Sequence, residues 1–366
     1  MLPPRPRTVA VAAFAIAALT AVVVALAVGG GSDRHARPPG ATKRSPAQRS
    51  VSVSWVGDMS LSSDLGLPPR AGAGPLRAVR GQLVASDLAL GNLEGALGGG
   101  GRSKCRPGSE HCVTFRAPAG YARVYARAGF DLLNLANNHS FDFGSRGLRA
   151  TIRALDAAGI GHAGLAGEIA VRRVRGTSVA LVGFAPYSWS GPLRDLAAAR
   201  ALVERASQRA DVVVAMMHAG AEGADRTHTP AGVERAFGEN RGDTRAFAHA
   251  VVDAGADLVV GSGPHVLRGI ELYRGRLIAY SLGNFLAYNT LFHGGVFALS
   301  GILRVRLDGG GRPRAARLVP VRLVDPGEPR VDRTGASARL VRQLSRADFG
   351  AHGARVDRHG RIALAH

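Results

Sequence analysis

Short apolar runs alternate with amphipathic segments over most of the chain beyond residue 50. The apolar runs are Val51–Val56, Leu83–Leu90, Phe130–Leu135, Ser178–Ala185, Asp211–Met217, Leu258–Val260 and Leu277–Tyr280. The segments with helical periodicity are Ser145–Ala158, Arg194–Arg209 and Thr244–Ala254. Short β-branched runs between helical segments are typical of strands that are buried on both faces of a sheet. The pattern therefore predicts an α/β domain with buried strands.

The pattern changes beyond residue 300. Gly301–Leu307 and Arg314–Leu323 flank Asp308-Gly309-Gly310-Gly311, a combination that predicts a β-hairpin. From about residue 325 the apolar periodicity is weak, so we expect a short terminal helix and a loose tail over 326–366. The α/β domain is accordingly predicted to cover residues 51–325.

The first apolar segment of the chain is long and uncharged. Thr8–Val28 consists almost entirely of Ala, Val, Leu, Ile and Phe, and Arg5 and Arg7 precede it. A helix of this length spans roughly 30 Å, the thickness of a bilayer core. We therefore predict a cytoplasmic stub over 1–7 and a transmembrane signal anchor over 8–28. Ala25-Leu26-Ala27 is also an acceptable cleavage site, so a cleaved signal peptide is the alternative.

The side of the membrane on which the domain lies is predicted from two opposing signals. The segment 29–50 is rich in Gly, Pro, Ser and Arg, which predicts a linker, and its basic residues favour a cytoplasmic domain by the positive-inside rule. That rule weakens when a large domain follows the span. Cys105 and Cys112 bound a short loop, which in an exported domain indicates a disulfide; a metal site with His111 is the alternative. We therefore expect a single-pass protein of the cell membrane whose C-terminal domain is extracytoplasmic.

The composition narrows the range of partners. The formal net charge is +20, and 46% of the residues are hydrophobic while 20% are charged, so the chain is globular and basic. The basic residues form either a solvated surface or a surface for an anionic partner such as an acidic polymer, teichoic acid or lipid headgroups. No basic helix, no interleaving of aromatic and basic residues and no nucleic-acid motif is seen, so we expect no nucleic-acid partner.

Polar side chains of ligand type follow five of the predicted strands. They are Asp58, Glu94, Asn138 with His139, His218 with Glu222, and His265. Carboxylate, carboxamide and imidazole groups that converge at one sheet edge are suited to Mn, Fe, Zn or Mg. Two such ions could clamp and attack a phosphoester. The alternatives are that Asp58 caps a turn and that His218 is a buried packing residue.

The motifs that contain these residues occur in a specific order. They are Gly57-Asp58, Asn92-Leu93-Glu94, Asn137-Asn138-His139 with Asp142 and Gly144, His218-x-Gly220-x-Glu222, Gly261-x-x-Pro264-His265-Val266 and Tyr280-Ser281-Leu282-Gly283-Asn284-Phe285. Over about residues 51–300 this order resembles that of the bacterial capsule synthesis CapA family. The resemblance implies a calcineurin-like metallophosphoesterase fold, a sandwich of central β-sheets flanked by helices. It also implies membrane-anchored display and a role in making, exporting or anchoring an anionic surface polymer of poly-γ-glutamate type.

By analogy with metallophosphoesterases, the resemblance also implies roles for individual residues. Asp58, Glu94 and His265 would hold one divalent metal ion, and Glu94, Asn138 and His218 a second. His139 and Glu222 are predicted as catalytic residues, His139 by stabilising charge on the leaving group or the transferred phosphoryl group.

Three positions depart from the metallophosphoesterase pattern. Ser60 and Gly263 stand where histidines are usual, and Glu94 stands where an aspartate is usual. Two hypotheses therefore remain open. The protein is either a metal-dependent hydrolase, such as a phosphoesterase, or a transferase, or it is a non-catalytic assembly or polyanion-binding component that retains the fold. In both, the partners are the cytoplasmic membrane, an anionic surface polymer and membrane-bound polymer synthase subunits.

The remaining histidines carry no such expectation. His162, His228, His249 and His293 are predicted to be ordinary surface or packing residues.

Overall fold

The computed structural model describes residues 49–109, 112–290 and 293–364. The predicted stub 1–7, the predicted anchor 8–28 and all but the end of the predicted linker lie outside these described residues. Within the described ranges, every helix is too short or too polar to span a bilayer.

Twenty strands and six α-helices make up the regular structure of the described residues. The strands are β1 (Ser50–Ser60), β2 (Leu88–Leu93), β3 (Ala96–Leu97), β4 (Arg116–Ala117), β5 (Leu132–Asn134), β6 (Gly161–Ala163), β7 (Ala170–Val174), β8 (Thr177–Ala185), β9 (Gly191–Pro192), β10 (Val212–His218), β11 (Glu234–Ala236), β12 (Glu239–Gly242), β13 (Leu258–Ser262), β14 (Ile270–Tyr273), β15 (Arg276–Ala279), β16 (Asn284–Ala287), β17 (Leu299–Asp308), β18 (Pro313–Val324), β19 (Glu328–Val331) and β20 (Arg361–Ile362). The helices are α1 (Arg80–Leu83), α2 (Tyr121–Ala128), α3 (Gly144–Ala157), α4 (Leu196–Ser207), α5 (Thr244–Asp253) and α6 (Ala336–Phe349).

Two large mixed sheets carry the fold. The first sheet has nine strands in the order β19-β18-β17-β1-β2-β5-β6, with β16 paired to β1 and β20 paired to β18. The second sheet has seven strands in the order β14-β15-β13-β10-β8-β7, with β9 paired to β8. The central pairs β1–β2 and β10–β13 are parallel, so their carboxyl ends lie at the same edge of each sheet.

The strands are buried on both faces, as their apolar runs predict. In β10, Val212, Val214 and Met216 pack in the core that both sheets share. The intervening Val213 and Ala215 pack instead against the face covered by α4 and α5. Helices α1, α2 and α3 cover the outer face of the first sheet in the same way. The described residues therefore form a sandwich of two sheets between two layers of helices, which confirms the predicted α/β architecture.

The three predicted helices are present, with ends shifted by two residues or fewer. Two of them begin where an aspartate caps the first turn. Asp195 accepts a hydrogen bond from the backbone N–H of Ala198 at the start of α4, and Asp243 accepts one from Ala246 at the start of α5. Each carboxylate satisfies a backbone donor that has no partner inside its helix, which positions the helix ends.

Two expectations about elements are corrected by the structure. The apolar run Leu83–Leu90 is not one strand, because Leu83 ends α1 and β2 begins only at Leu88. The residues after 325 are not a loose tail, because β19 and β20 pair with β18 and α6 buries Val341 in the shared core. The α/β domain therefore continues beyond the predicted boundary at residue 325.

The predicted disulfide is confirmed. Cys105 and Cys112 are bonded, with their Cα atoms 5.5 Å apart. The metal-site alternative for this cysteine pair is thereby excluded.

Candidate metal centre

The sites of the predicted ligands are set by the carboxyl ends of parallel strands from both sheets. Asp58 lies near the end of β1, and Glu94 directly follows β2. His218 is the last residue of β10, and His265 follows β13 by three residues. Because these strands end at the same edge of the sandwich, side chains from distant parts of the chain meet there.

Four of these side chains form a buried cluster. One potential ligand atom from each of Asp58, Glu94 and His265 lies within 4.8 Å of those of the other two. His218 adjoins the same group, with its Nδ1 3.8 Å from Asp58 Oδ1 and its Nε2 3.6 Å from Glu94 Oε1. Asp58, Glu94 and His218 are fully buried and His265 is nearly so. An uncompensated pair of carboxylates in such a place would be costly, so the cluster requires positive charge.

A network of asparagine side chains contacts Asp58 and His218 and holds them in place. Asn92 Nδ2 donates to Asp58 Oδ1 (2.7 Å) and lies 3.3 Å from His218 Nδ1. Its own Oδ1 accepts from Asn134 (2.7 Å) and from Asn137 (3.1 Å). Asn92 of the second motif, Asn137 of the third motif and Asn134 at the end of β5 therefore form one buried hydrogen-bond network beside the ligands.

His265 is held in an unusual backbone conformation. Its φ is 61°, in the left-handed region that non-glycine residues seldom adopt. Its Nδ1 lies 2.9 Å from Asn284 Oδ1 and 3.2 Å from Asp58 Oδ2. Strained residues that the surrounding structure keeps in place are concentrated at functional sites. Asn284 comes from the Tyr280–Phe285 motif, whose contribution to the site is thus to orient His265.

Two carboxylates of the cluster, Asp58 and Glu94, both lie close to the imidazole of His265, which carries a positive charge when it is protonated. Burial raises the pKa of Glu94 to about 8, and the charge of Asp58 adds to this effect. Burial would also raise the pKa of Asp58, but hydrogen bonding to and the charges of neighbouring histidines, chiefly His265, outweigh it and hold the pKa at about 2. Burial acts in the opposite direction on His265, yet Glu94 and Asp58 raise its pKa to about 10. A divalent cation would serve the same purpose as this protonated imidazole.

The chemistry of the residues present fits a metal ion, because several potential ligand atoms have no hydrogen-bond partner within the described part of the chain. Glu94 Oε1, His218 Nε2 and Asn138 Oδ1 are buried, and each lacks a hydrogen-bond partner among the described residues. Burial holds the pKa of His218 well below its usual value, so its imidazole is neutral. Carboxylate oxygen, amide oxygen and neutral imidazole nitrogen are the ligands that divalent cations take in proteins. Such groups are rarely left unpaired inside a protein unless something else binds them.

His139 belongs to a separate network of charged side chains, His139, Asp142 and Lys104, beside this cluster. Its Nδ1 donates to Asp142 Oδ2 (2.9 Å), and Lys104 Nζ lies 2.6 Å from Asp142 Oδ1. The same Nζ donates to the backbone carbonyl of Asn138 (3.1 Å). Burial lowers the pKa of His139, although Asp142 opposes this effect. The Asp142 bond fixes the orientation of the ring and leaves Nε2 as the nitrogen that does not contact Asp142.

Glu222 is paired with a buried arginine that sequence reasoning missed. Arg241 Nη2 lies 2.9 Å from Glu222 Oε1, and Glu222 Oε2 lies 3.7 Å from His265 Nε2. Arg241 is 1% exposed and its Nη1 donates to the hydroxyl of Tyr187 (3.1 Å). Nothing in the sequence marks Arg241, because the basic residues of this chain are almost all arginine. Lys104 was missed as well, although it is one of only two lysines.

At Gly263 and Ser60, where the sequence departs from the metallophosphoesterase pattern, the structure shows what each residue contacts instead. A Cβ atom at Gly263, where φ is 115°, would lie 2.9 Å from the backbone nitrogen of Ala219. A histidine is therefore excluded at that position, and the Gly263 N–H instead donates to Asp58 Oδ2 (3.3 Å). Ser60 Oγ donates to Glu94 Oε2 (3.3 Å). Both positions support the carboxylates without offering an imidazole ligand.

A cavity of about 440 Å³ opens onto the cluster. Its wall includes four of the predicted site residues, and most of the side chains that join them are polar, charged or aromatic. The predicted residues are Asn138, His139, Glu222 and His265, and the additional ones include Lys104, Arg241, Tyr187, Trp189 and Phe237. Tyr187 and Trp189 are stacked with their ring centroids 4.8 Å apart. All seven residues predicted for the site thus lie in this cavity wall or in the buried cluster; their roles remain predictions.

The four histidines for which no function was predicted lie elsewhere. His162, His228, His249 and His293 are each within 3.5 Å of a carboxylate oxygen, and none is in the wall of this cavity.

Comparison with known proteins identifies relatives of this chain. Residues 52–289 match the family model described as bacterial capsule synthesis protein PGA_cap. The PGA biosynthesis protein CapA of Bacillus subtilis (strain 168) is 30% identical over 260 residues, covering 64% of this chain and 63% of that protein. The capsule biosynthesis protein CapA of Bacillus anthracis is 35% identical over 176 residues, covering 45% of this chain and 42% of that protein. The chain therefore spans less than two thirds of the length of these relatives.

The matches among solved structures are more distant. A putative 5'-nucleotidase from Staphylococcus aureus, solved in complex with alpha-ketoglutarate, has a TM-score of 0.44 at 14% identity, covering 81% of this chain and 58% of that chain. The NAD nucleotidase of Haemophilus influenzae has a TM-score of 0.40 at 13% identity, covering 81% and 56%.

The family match runs from the third residue of β1 to just beyond the end of β16, which includes every residue of the buried cluster and its cavity wall apart from Thr290. It also agrees with the resemblance to the CapA family that the order of motifs indicates. The chain belongs to the bacterial capsule synthesis protein PGA_cap family.

Proposed function

We propose that this protein is a membrane-anchored, extracytoplasmic, metal-dependent hydrolase of phosphoesterase type that acts in the synthesis, export or anchoring of an anionic capsule polymer. The observation that carries the proposal is the buried cluster of Asp58, Glu94, His218 and His265. Its unpaired ligand atoms adjoin a cavity large enough for a substrate. Buried, mutually close carboxylates and imidazoles beside a cavity are the usual signature of a catalytic centre.

The ligands suit one or two divalent ions, Mn, Fe, Zn or Mg. Asp58, Glu94 and His265 would hold the first ion, and Glu94, Asn138 and His218 the second. When bound, such an ion would supply Lewis-acid polarisation of the bond to be cleaved.

The chain's own residues supply the remaining groups. His139, oriented by Asp142, is placed to stabilise charge on a leaving group through its outer ring nitrogen. Arg241 brings a permanent positive charge to the cavity wall, where it can pair with an anionic substrate group. Glu222 holds Arg241 in position and borders His265, so it is proposed to act beside the metal ligands.

Anchoring and location rest on other observations. The uncharged segment Thr8–Val28 has the length of a membrane span, and the disulfide Cys105–Cys112 is typical of an oxidising compartment. A capsule polymer is supported by the relatives, whose names refer to capsule, PGA and, in Mycobacterium tuberculosis, polyglutamine synthesis. Partners at the membrane would be the subunits of a polymer synthase.

A second function is favoured by one specific observation. Ser60 and Gly263 replace two imidazole ligands, and the backbone at Gly263 has no room for a side chain. Fewer imidazoles would weaken metal binding, as expected of a non-catalytic assembly or polyanion-binding component that retains the fold.

Metal content separates the two functions. The purified protein would be dialysed against each candidate ion, and the bound ion would be counted by mass spectrometry. Hydrolysis of a chromogenic phosphodiester would then be measured before and after chelation. One or two bound ions and a chelator-sensitive rate are expected. A protein that binds no ion at micromolar concentration would contradict the hydrolase and favour the assembly component.

A further inference from the structure

A second, larger cavity lies at the C-terminal end of the domain. Its volume is about 1130 Å³, and it shares no wall residue with the cavity at the metal centre. Pockets for drug-sized ligands have volumes of about 300 to 1,000 Å³. The C-terminal cavity is therefore wide enough for an extended ligand rather than a single small molecule.

Four arginines define the charge of this cavity. Arg342, Arg346, Arg355 and Arg361 lie in its wall, all with exposed side chains, and Asp357 is the only acidic residue there among those described. None of the four arginines forms an ion pair with a described carboxylate. Asp357 is occupied within its own turn, where it accepts from the backbone N–H groups of His359 (2.8 Å) and Arg361 (2.9 Å).

The walls of the cavity are held by the fold. Arg342 and Arg346 are one turn apart on α6, so they project from the same face of that helix. The helix is fastened to the second sheet because Ser345 Oγ accepts from the backbone N–H of Ile270 (2.8 Å). The segment that carries Ala354 and Arg355 is fastened to the same strand, because the backbone N–H of Ala354 donates to the carbonyl of Ile270 (2.9 Å). The four guanidinium groups are thus carried on a fixed concave frame.

We infer that this cavity is a binding site for a segment of a polycarboxylate chain, separate from the metal centre. Guanidinium groups bind carboxylates through paired hydrogen bonds, and four of them around one concavity match a ligand with repeated negative charges. A flat bilayer surface cannot enter a concavity, which favours a flexible polymer over lipid headgroups. The inference rests on the proposed function in one respect, the choice of glutamate as the repeating unit.

The experiment uses the full chain and fluorescently labelled poly-γ-glutamate, with anisotropy as the readout and a chelator present throughout. The cavity variant replaces Arg342, Arg346, Arg355 and Arg361 with Gln. A matched control also replaces four arginines with Gln and so loses the same net charge. These arginines are exposed on α2 and α3: Arg123, Arg146, Arg149 and Arg153. A second cavity variant, Ala347→Glu, places a carboxylate among the arginines at an exposed helix position.

The cavity variant is expected to bind the polymer at least about tenfold more weakly than the unmodified chain, since each exposed charge pair contributes a fraction of a tenfold factor or more. Ala347→Glu should weaken binding in the same direction, while the control should lose less than about threefold. Equal losses in the cavity variant and the control would overturn the inference, because binding would then follow net charge alone. Failure of the unmodified chain to bind would overturn it as well.

Anionic phospholipid vesicles form the second arm of the experiment. The cavity variant and the control should sediment with vesicles to the same extent. A loss of vesicle binding confined to the cavity variant, with polymer binding intact, would assign the site to lipid and overturn the inference. Because the chelator removes any bound metal, absence of a metal centre would contradict the proposed function without affecting this result.

Discussion

Lys104 Nζ lies 2.6 Å from Asp142 Oδ1, and this ion pair joins the loop before the disulfide to the His139 motif. Asp142 is fully buried and also accepts from His139 Nδ1 and from the backbone N–H of Phe115. A carboxylate in this position needs a cationic partner, because burying it unpaired is costly. Lys104 therefore supplies the charge that Asp142 needs, and we expect it to act on the proposed site as a positioning residue for His139.

Replacing Lys104 with Met is expected to reduce turnover by roughly tenfold while leaving the number of bound metal ions unchanged. The reason is that Asp142 would lose its ion pair and His139 its fixed orientation, whereas the metal ligands would be untouched. Steady-state rates and metal counts on the same sample provide the measurement. Lys104→Arg, which keeps the charge, should recover most of the rate; an equal loss of metal and rate in Lys104→Met would assign it a structural role.

The histidines of the site are expected to divide into two groups. His218→Ala and His265→Ala should each lower metal occupancy, since imidazole is the strongest neutral ligand type in the cluster. His139→Ala should retain metal and lose activity, by about a hundredfold or more if it acts in proton transfer or charge stabilisation. Mass-spectrometric metal counts would be compared with rates.

His228→Ala is the matched control for these variants, because its side chain is 62% exposed and outside the cavity wall. This variant should leave both the metal occupancy and the rate of hydrolysis unchanged. The same loss of metal in His139→Ala as in His218→Ala would refute the division of roles.

Gly263→Ala is expected to destabilise the protein by about 1–3 kcal/mol. The added methyl group would lie 2.9 Å from the backbone nitrogen of Ala219, at a φ of 115° that side chains rarely adopt. Denaturant unfolding would measure the change in the free energy of unfolding. Gly81→Ala in α1 is the control, since a Cβ there meets no atom within 4 Å and should be neutral or slightly stabilising. Equal stability of both variants would show that the backbone at residue 263 adapts.

His162 offers a test of the pH dependence of stability that does not involve the metal centre. The close contact with Glu168 (Nδ1 to Oε1, 2.8 Å) raises the pKa of His162 above its ordinary value near 6.5, against the opposing effect of burial. The folded state therefore holds this proton more tightly than the unfolded state. Its contribution to stability is complete below about pH 6.5 and is lost as the pH rises through the raised pKa.

Proton NMR titration should give a His162 pKa above the ordinary histidine value near 6.5. The variant Glu168→Gln should lower the His162 pKa and remove its contribution to the pH dependence of unfolding, while its amide oxygen can still accept from the backbone N–H of Leu165. A His162 pKa that is unchanged by Glu168→Gln would contradict this account of the contact.

The proposed topology predicts that protease added to intact protoplasts digests the domain that follows residue 50. The expected outcome follows from the span Thr8–Val28 together with the disulfide Cys105–Cys112. Immunoblotting with and without detergent provides the measurement, and a cytoplasmic protein is the control for intact membranes. Full protection of the domain until detergent is added would reverse the orientation and support the positive-inside count.

The sequence was sufficient for the parts of the site that depend on local pattern. Runs such as Val212–His218 combine β-branched residues with an abrupt polar end, so both the strand and its ligand are visible in a few consecutive residues. The order of such strand ends was enough to indicate the family and the seven candidate site residues. Parallel strands bring their carboxyl ends together, which is why local patterns predicted a shared location.

The tertiary structure alone decided which charges neutralise the site and where the domain ends. Arg241 and Lys104 are paired with carboxylates that are distant in sequence, and a single arginine among many carries no local signal. In α6 the buried positions include small and polar residues, Ala338 and Ser345, so its periodicity is weak although the helix is packed. Burial depends on what the rest of the chain brings into contact, and that information is absent from any short segment.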